Sequence, residues 1–383
     1  MKTILQQKES ETKKPLYSVK QIFQDHWERY SKENRDSLRD IEIRETEKML
    51  SCRDENRGSF TCFCPICNKY HICYFGCNSR LCSPCGKVRA DKFAKNLAKR
   101  AFKVPQRHLI LSLPEILWVI LKRHRRLLKP YMDSAIKFIT KTFSEFIGED
   151  VIPGVITVLH PFAKDVQHKP HLHNIVTSGG FDKNGKFISL PKFVEFDVLH
   201  KEWQKCILEV FRKVFPKQYL WLIDHLYNIY PNGFHAHLKK EVIYGYGNLL
   251  KYIGRYINHP AIANTRIYSY DGKEVRFWYE DDKEMIHFVT MEVDDFITAL
   301  LQHIPEPQFK MIRYYGAYSR KKKKRYRTYL VQESLSKKVF PVYSKRRGPK
   351  CPDCKNEMII LWYNEKPPPK DKSKITSWMV LPS

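Results

Sequence analysis

Three groups of side chains in this sequence could do chemistry. The first is histidine. His160 ends an apolar run that starts at Val155, and His171 and His173 open a second run that continues through Val176. Both runs are rich in residues that favour strand. Side chains alternate along a strand, so His171 and His173 share one face and Leu172 points the other way, into a core. A hairpin turning near Asp165 and Val166 sets His160 opposite that pair. Three imidazoles on one face make a site for a divalent metal, since neutral imidazole is the commonest protein ligand for such ions. A second His-x-His, His235 and His237, is a rival pair, but its middle residue is Ala236 and anchors less well.

The second group is cysteine. Cys64-Pro-Ile-Cys67 and Cys82-Ser-Pro-Cys85 are two Cys-x2-Cys knuckles with 14 residues between them. Each knuckle offers two thiolates, and together the two are predicted to close one structural zinc site. Cys52, Cys62, His71, Cys73 and Cys77 could replace a knuckle cysteine or form a second site. Cys351-Pro-Asp-Cys354 is a half-site, to be completed by spare N-terminal ligands or by a second subunit. The third group is Tyr252 and Tyr256. They lie four apart in a stretch that reads as helix, after a candidate N-cap at Asn248 and before Pro260. They therefore stack on one helical face, flanked by Lys251 and Arg255.

The surrounding elements must hold these groups in place. Residues 1–50 read as helical and 51–104 as the cysteine-rich zinc-binding module. Residues 105–260 hold the histidines and tyrosines, 261–340 are β-rich and basic, and 341–383 form a tail with the last knuckle. Within 105–260, RHLILSLP is a strand with Leu109, Leu111 and Leu113 on one face. Glu115 to Phe146 is helical, with Pro130 expected to break it in two. Helices are predicted at Phe196–Val214 and Gln218–Tyr227, strands over 262–292 with a turn at Asp271-Gly272, and a short helix from Asp294 to His303. The order of elements is that of an α+β fold.

Lys and Arg number 68 against 41 Asp and Glu, a formal charge of +27. That excess points to a polyanion, and to nucleic acid rather than a membrane surface. No run of 18 apolar residues predicts a transmembrane helix, and the N-terminus has no signal-peptide core. Eight of the eleven cysteines fall between Cys52 and Cys85, which without an export signal reads as metal ligation in an intracellular protein. From Arg313 to Tyr329 aromatic and basic residues interleave. Arg313, Arg320, Lys321, Lys322, Lys323, Lys324 and Arg325 are the candidate DNA contacts there, with stacking on the aromatics.

The order of motifs resembles a known family. CNSRLCSPC, then VLHPFAKDVQHKPHLHNIVTSGG, then LLKYIGRYINHPAIANTRI, then FITALLQHIPEPQFKMIRYYGAYS, is similar to the rolling-circle transposases of the insertion-sequence family numbered ninety-one. The resemblance runs from about Cys64 to Tyr318, with the C-terminal knuckle as an extra match. It implies an HUH nuclease domain, a central antiparallel sheet with packed helices, preceded by the zinc module. It implies that His171 and His173 bind a catalytic Mg or Mn ion, with His160 as a third ligand. It implies that Tyr252 and Tyr256 are nucleophiles that form a 5′-phosphotyrosine with single-stranded DNA, with Lys251 and Arg255 supplying positive charge. The expected partner is DNA, single-stranded or extruded as a hairpin at the element's ends, with self-association on that DNA compatible with the role. The expected place is the bacterial cytoplasm, at the nucleoid. The same chemistry would serve a plasmid replication initiator or a relaxase. A non-catalytic zinc protein that binds single strands would account for the charge and the cysteines, but not for three aligned histidines and a tyrosine pair.

Overall fold

The computed structural model describes residues 16–99, 101–191, 194–243, 260–281, 283–330 and 347–363. Helix α1 (Val19–Glu33) starts where Ser18 Oγ accepts a hydrogen bond from the Gln21 amide at 3.1 Å. Its Val19, Phe23, Trp27 and Tyr30 recur three or four apart, so they form one buried stripe. Helix α2 (Asp40–Leu50) follows, then the hairpin β1 (Ser59–Cys64) and β2 (Lys69–Tyr74), then α3 (Ser83–Lys99).

The central unit begins with β3 (Gln106–Ser112). Two helices follow, α4 (Glu115–Arg123) and α5 (Leu128–Ile147). The break between them falls at His124 rather than at Pro130. Pro130 lies in the first turn of α5, where a missing N–H costs little because that donor has no intrahelical partner. Gly148 ends α5 with φ of +84°, a left-handed cap that suits glycine. Next come β4 (Gly154–Phe162), β5 (His168–Thr177), β6 (Gly179–Phe181), β7 (Phe187–Ser189), α6 (Phe196–Val214), α7 (Leu220–Ile229) and β8 (Ala236–Leu238). The chain continues with β9 (Ile267–Tyr270), β10 (Glu274–Glu280), β11 (Ile286–Glu292), α8 (Val293–Leu301), β12 (Ile312–Gly316), α9 (Arg320–Lys323), β13 (Arg347–Lys350) and β14 (Glu357–Tyr363).

Five strands form an antiparallel sheet in the order β12-β4-β5-β3-β8. Strand β12 lies beyond residue 260, yet it is the edge strand of this sheet. Leu109, Leu111, Val155, Leu159, Leu172 and Val176 pack from one face against Tyr131, Phe138 and Trp203 of α5 and α6. That face is the apolar half of the alternation seen in the sequence. The other half carries the histidines. The fold is thus α+β, with the central antiparallel sheet and packed helices of an HUH nuclease and a cysteine-rich module before it.

Besides the two-stranded pair β6-β7, two smaller sheets are present among the described residues. β11-β10-β9 pack with α8 against α1 and the cysteine module, in a core that includes Phe23, Trp27, Phe277, Phe296, Cys52 and Cys82. Tyr30 Oη and Thr298 Oγ1 share a hydrogen bond at 2.7 Å across that contact. The other sheet has the order β13-β14-β1-β2, so strands from the two ends of the chain are hydrogen-bonded neighbours. Among the described residues, no helix is long and apolar enough to cross a membrane.

Candidate metal centres and the cleft between them

β4 and β5 pair with His160 opposite His171 and Val158 opposite His173. The turn between them uses Val166 at φ of +62°. The side-chain nitrogens of His160, His171 and His173 all lie within 4.8 Å of one another, and Nε2 of His171 is 3.0 Å from Nε2 of His173. The expected juxtaposition of the three rings is therefore present. His171 Nδ1 faces the Lys169 carbonyl at 2.8 Å. A carbonyl only accepts, so that nitrogen carries the proton, and the neutral ring presents a lone pair at Nε2. Burial holds the His171 and His173 imidazoles below their ordinary pKa, His173 far below, which keeps them neutral and ready to ligate. Octahedral donors at about 2.1 Å from one ion are about 3.0 Å apart, so the separation seen here fits a shared divalent cation.

His173 is held from behind. Its Nδ1 is 2.7 Å from Nε2 of His108 on β3, and the two rings stack at 4.9 Å. His108 is buried and its pKa is pushed down to about 3 by burial. A ligand imidazole usually donates its second N–H to such a partner, which fixes ring and tautomer. No spacing motif in the sequence marks His108, although it lies two residues before Ile110 and so on the histidine face. His108→Ala is expected to weaken Mn binding by about 10–100-fold, with partial recovery in His108→Gln. Calorimetric Mn titration checks this, and unchanged affinity in the alanine variant would remove the role. His235 and His237, the rival pair, join no cluster of possible metal ligands among the described residues. His237 instead stacks on Phe196 at 5.2 Å.

The cysteines form two clusters, not one. Cys82 and Cys85 gather with Cys52 and Cys77, whereas Cys64 and Cys67 gather with Cys351 and Cys354. The expected single site of Cys64, Cys67, Cys82 and Cys85 is corrected accordingly. The physical reason is placement. Cys64 and Cys67 sit at the end of a hairpin that pairs with the C-terminal strands, whereas Cys82 and Cys85 open α3, beside the end of α2. In the first cluster Cys52 Sγ is 3.6 Å from both Cys85 Sγ and Cys82 Sγ. Two sulfurs at about 2.3 Å from one zinc, at the tetrahedral angle, lie about 3.8 Å apart. The donor set and spacing fit zinc, and four thiolates leave no open position for catalysis.

A cleft separates this zinc module from the sheet. His160, Phe162, Arg80, Arg89, Pro260 and Ile262 line it. Burial pushes both guanidiniums below their ordinary pKa, and Arg89 adds repulsion at Arg80. Arg89 donates to the Asn78 carbonyl at 2.8 Å, and its Nε is a buried donor left without a hydrogen-bond partner among the described residues.

The basic segment differs from its expected form. Tyr318 and Tyr326 are buried, Tyr326 stacks on Phe181 at 4.3 Å, and Tyr315 donates to Asp133 at 2.6 Å. Tyr318 and Tyr326 belong to the sheet's second core, whereas Tyr314 of the same segment is exposed. The cations point outward: Arg320, Lys321, Lys322, Lys324 and Arg325 are exposed. Lys323 ends α9, and Arg313 lies over the Phe309 ring at 5.6 Å. Tyr252, Tyr256, Lys251 and Arg255 lie outside the described residues.

Residues 154–325 match the family model described as "Putative transposase", and residues 22–113 match "Transposase zinc-binding domain". The chain is 28% identical over 296 residues to "Transposase for insertion sequence element IS801" of Pseudomonas savastanoi pv. phaseolicola, covering 73% of this chain and 70% of that protein. It is 26% identical over 320 residues to "Putative transposase y4qJ" of Sinorhizobium fredii, covering 78% and 79%. No solved structure matches. The two matched family models meet the histidine triad and the cysteine module in the order the sequence sets them, and the chain belongs to the rolling-circle HUH transposases of the insertion-sequence family numbered ninety-one.

Proposed function

We propose that this transposase nicks and rejoins single-stranded DNA through a 5′-phosphotyrosine on Tyr252 or Tyr256, with His160, His171 and His173 as the ligands of its nuclease ion. The supporting observation is the shared cleft. Pro260, which lines it with His160, follows Tyr256 by four residues. Mg or Mn held by the three imidazoles supplies Lewis-acid polarisation of the scissile phosphate. The tyrosine oxygen forms its bond to phosphorus, the bond from phosphorus to O3′ breaks, and the proton lost from the phenol ends on the 3′ oxygen through solvent. The phenol has a reference pKa of about 10. Lys251 and Arg255, adjacent in sequence, favour its oxyanion by charge. A second tyrosine lets one strand stay bound while another is cut. The substrate is single-stranded or extruded at the element's ends, and the site of action is the nucleoid. Two molecules on one DNA would suit the pairing of two ends.

Arg80 and Arg89 supply the anion-binding wall. Both line the cleft beside the Glu45 carboxylate, and a phosphate entering it would meet two guanidiniums able to donate charge-assisted hydrogen bonds. Arg89→Met is expected to weaken single-strand binding and to flatten the plot of log affinity against log salt by about 0.7. An unchanged slope would make Arg89 purely structural. The direct test of the function uses labelled oligonucleotides from the element's ends, single-stranded or duplex, with Mn or with chelator. Cleavage of the single strand only, and only with the ion, is expected. Equal cleavage in chelator would overturn the reading.

A further inference from the structure

We infer that Cys64, Cys67, Cys351 and Cys354 bind a second structural zinc ion, and that this ion ties the C-terminal strands to the N-terminal hairpin. Cys64 and Cys67 fall within the match to the transposase zinc-binding domain, whereas neither matched family model reaches Cys351 or Cys354, so the pairing of the two knuckles is not given by those models. The four sulfurs all lie within 4.8 Å of one another. Cys64 Sγ is 3.5 Å from Cys354 Sγ, and Cys351 Sγ is 3.9 Å from Cys67 Sγ. These separations bracket the edge of about 3.8 Å expected for thiolates on one tetrahedral zinc, and are far from the roughly 2.0 Å of a disulfide.

The two halves of the site are built alike. Each is Cys-Pro-x-Cys followed by a residue in left-handed conformation, Asn68 at φ of 54° and Lys355 at φ of 61°. Each therefore turns its backbone sharply around its two sulfurs, as zinc knuckles do. The knuckles come from opposite ends of the chain, on β1-β2 and on β13-β14, and β1 pairs with β14 to bring them together. Around them, His71 Nε2 lies 3.5 Å from Cys351 Sγ, and Lys69 pairs with Asp353 at 3.1 Å. A ring N–H beside Cys351 Sγ offsets part of the thiolate charge, while the Lys69–Asp353 pair is neutral overall.

The packing says why an ion is required. Among the described residues the fully buried core of this sheet is Cys62, Cys64, Cys351 and Met358, with Phe60 and Ile360 partly buried against it. Four side chains, three of them cysteines, cannot hold four strands together by apolar burial alone. Small units of this kind take their folding free energy from the metal. The ion also ties β13 and β14 to β1 and β2.

The test is zinc stoichiometry. The full chain is expected to carry two zinc ions, measured by native mass spectrometry and elemental analysis. Cys351→Ser with Cys354→Ser should carry one, and so should Cys64→Ser with Cys67→Ser. All four substitutions together should still leave one, because the two pairs serve a single site. Wild-type protein with one zinc, or a Cys351/Cys354 variant that keeps two, would overturn the inference. A measurement without variants guards against misfolding. In zinc-loaded wild-type protein, alkylation of Cys351 and Cys354 should be at least tenfold slower than after chelation, and they should become reactive together with Cys64 and Cys67. Equal rates before and after chelation would also overturn it.

Discussion

Replacing Tyr252 and Tyr256 together with phenylalanine is expected to abolish the covalent protein–DNA adduct while leaving single-strand affinity within about twofold. Phenylalanine keeps the ring and its packing and removes only the oxygen that attacks phosphorus. No other group is assigned that attack, so the loss should exceed about 10³-fold, or about 4 kcal/mol at the transition state. Each single variant should keep one nucleophile and still form adduct on one end. Adduct yield on a denaturing gel, read beside a binding assay, checks both halves. An adduct formed at the wild-type level by the double variant would discard these two residues as nucleophiles.

A comparable loss is expected from His171→Ala combined with His173→Ala. Two of three ligands disappear, and the ion's stabilisation of charge on the scissile phosphate goes with them, which is worth several kcal/mol. Cleavage should fall by about 10³-fold or more. The fold should survive, since the core face of β5 is carried by Leu172 and Val176 and not by the histidines. The melting temperature gives the discriminating readout. A ligand that binds only the native state raises it, so Mn should stabilise the wild-type protein and leave the variant unmoved. A variant that loses cleavage yet keeps the full Mn shift would place the ion elsewhere.

Much of the site was legible because strand periodicity is simple. Leu172 between two histidines sets the face, and the turn near Asp165 sets the register, so His160 could be placed opposite the pair from sequence. The partners of the cysteines were not legible. Spacing defines a knuckle, but which knuckles share an ion depends on strand pairing between residues almost 300 positions apart. Composition left two forms open at Arg313–Tyr329 for a related reason. Alternating aromatic and basic residues suit either a nucleic-acid surface or an amphipathic element, and here Tyr318 and Tyr326 turn inward while the cations stay in solvent. Pro130 was read as a breaker because its position in the helix, first turn or interior, is set by where the preceding turn ends. His108 went unremarked because a single histidine in an apolar strand carries no spacing signal. Its partner lies on the neighbouring strand.

The most direct measurement is to trap the adduct on single-stranded DNA carrying the element's ends, digest the protein, and locate the modified residue by mass spectrometry. The expected result is a Mn- or Mg-dependent adduct, with the 5′ phosphate of the cut DNA joined to Tyr252 or Tyr256. A modified residue elsewhere in the chain, or an adduct that forms equally well in chelator, would contradict the account.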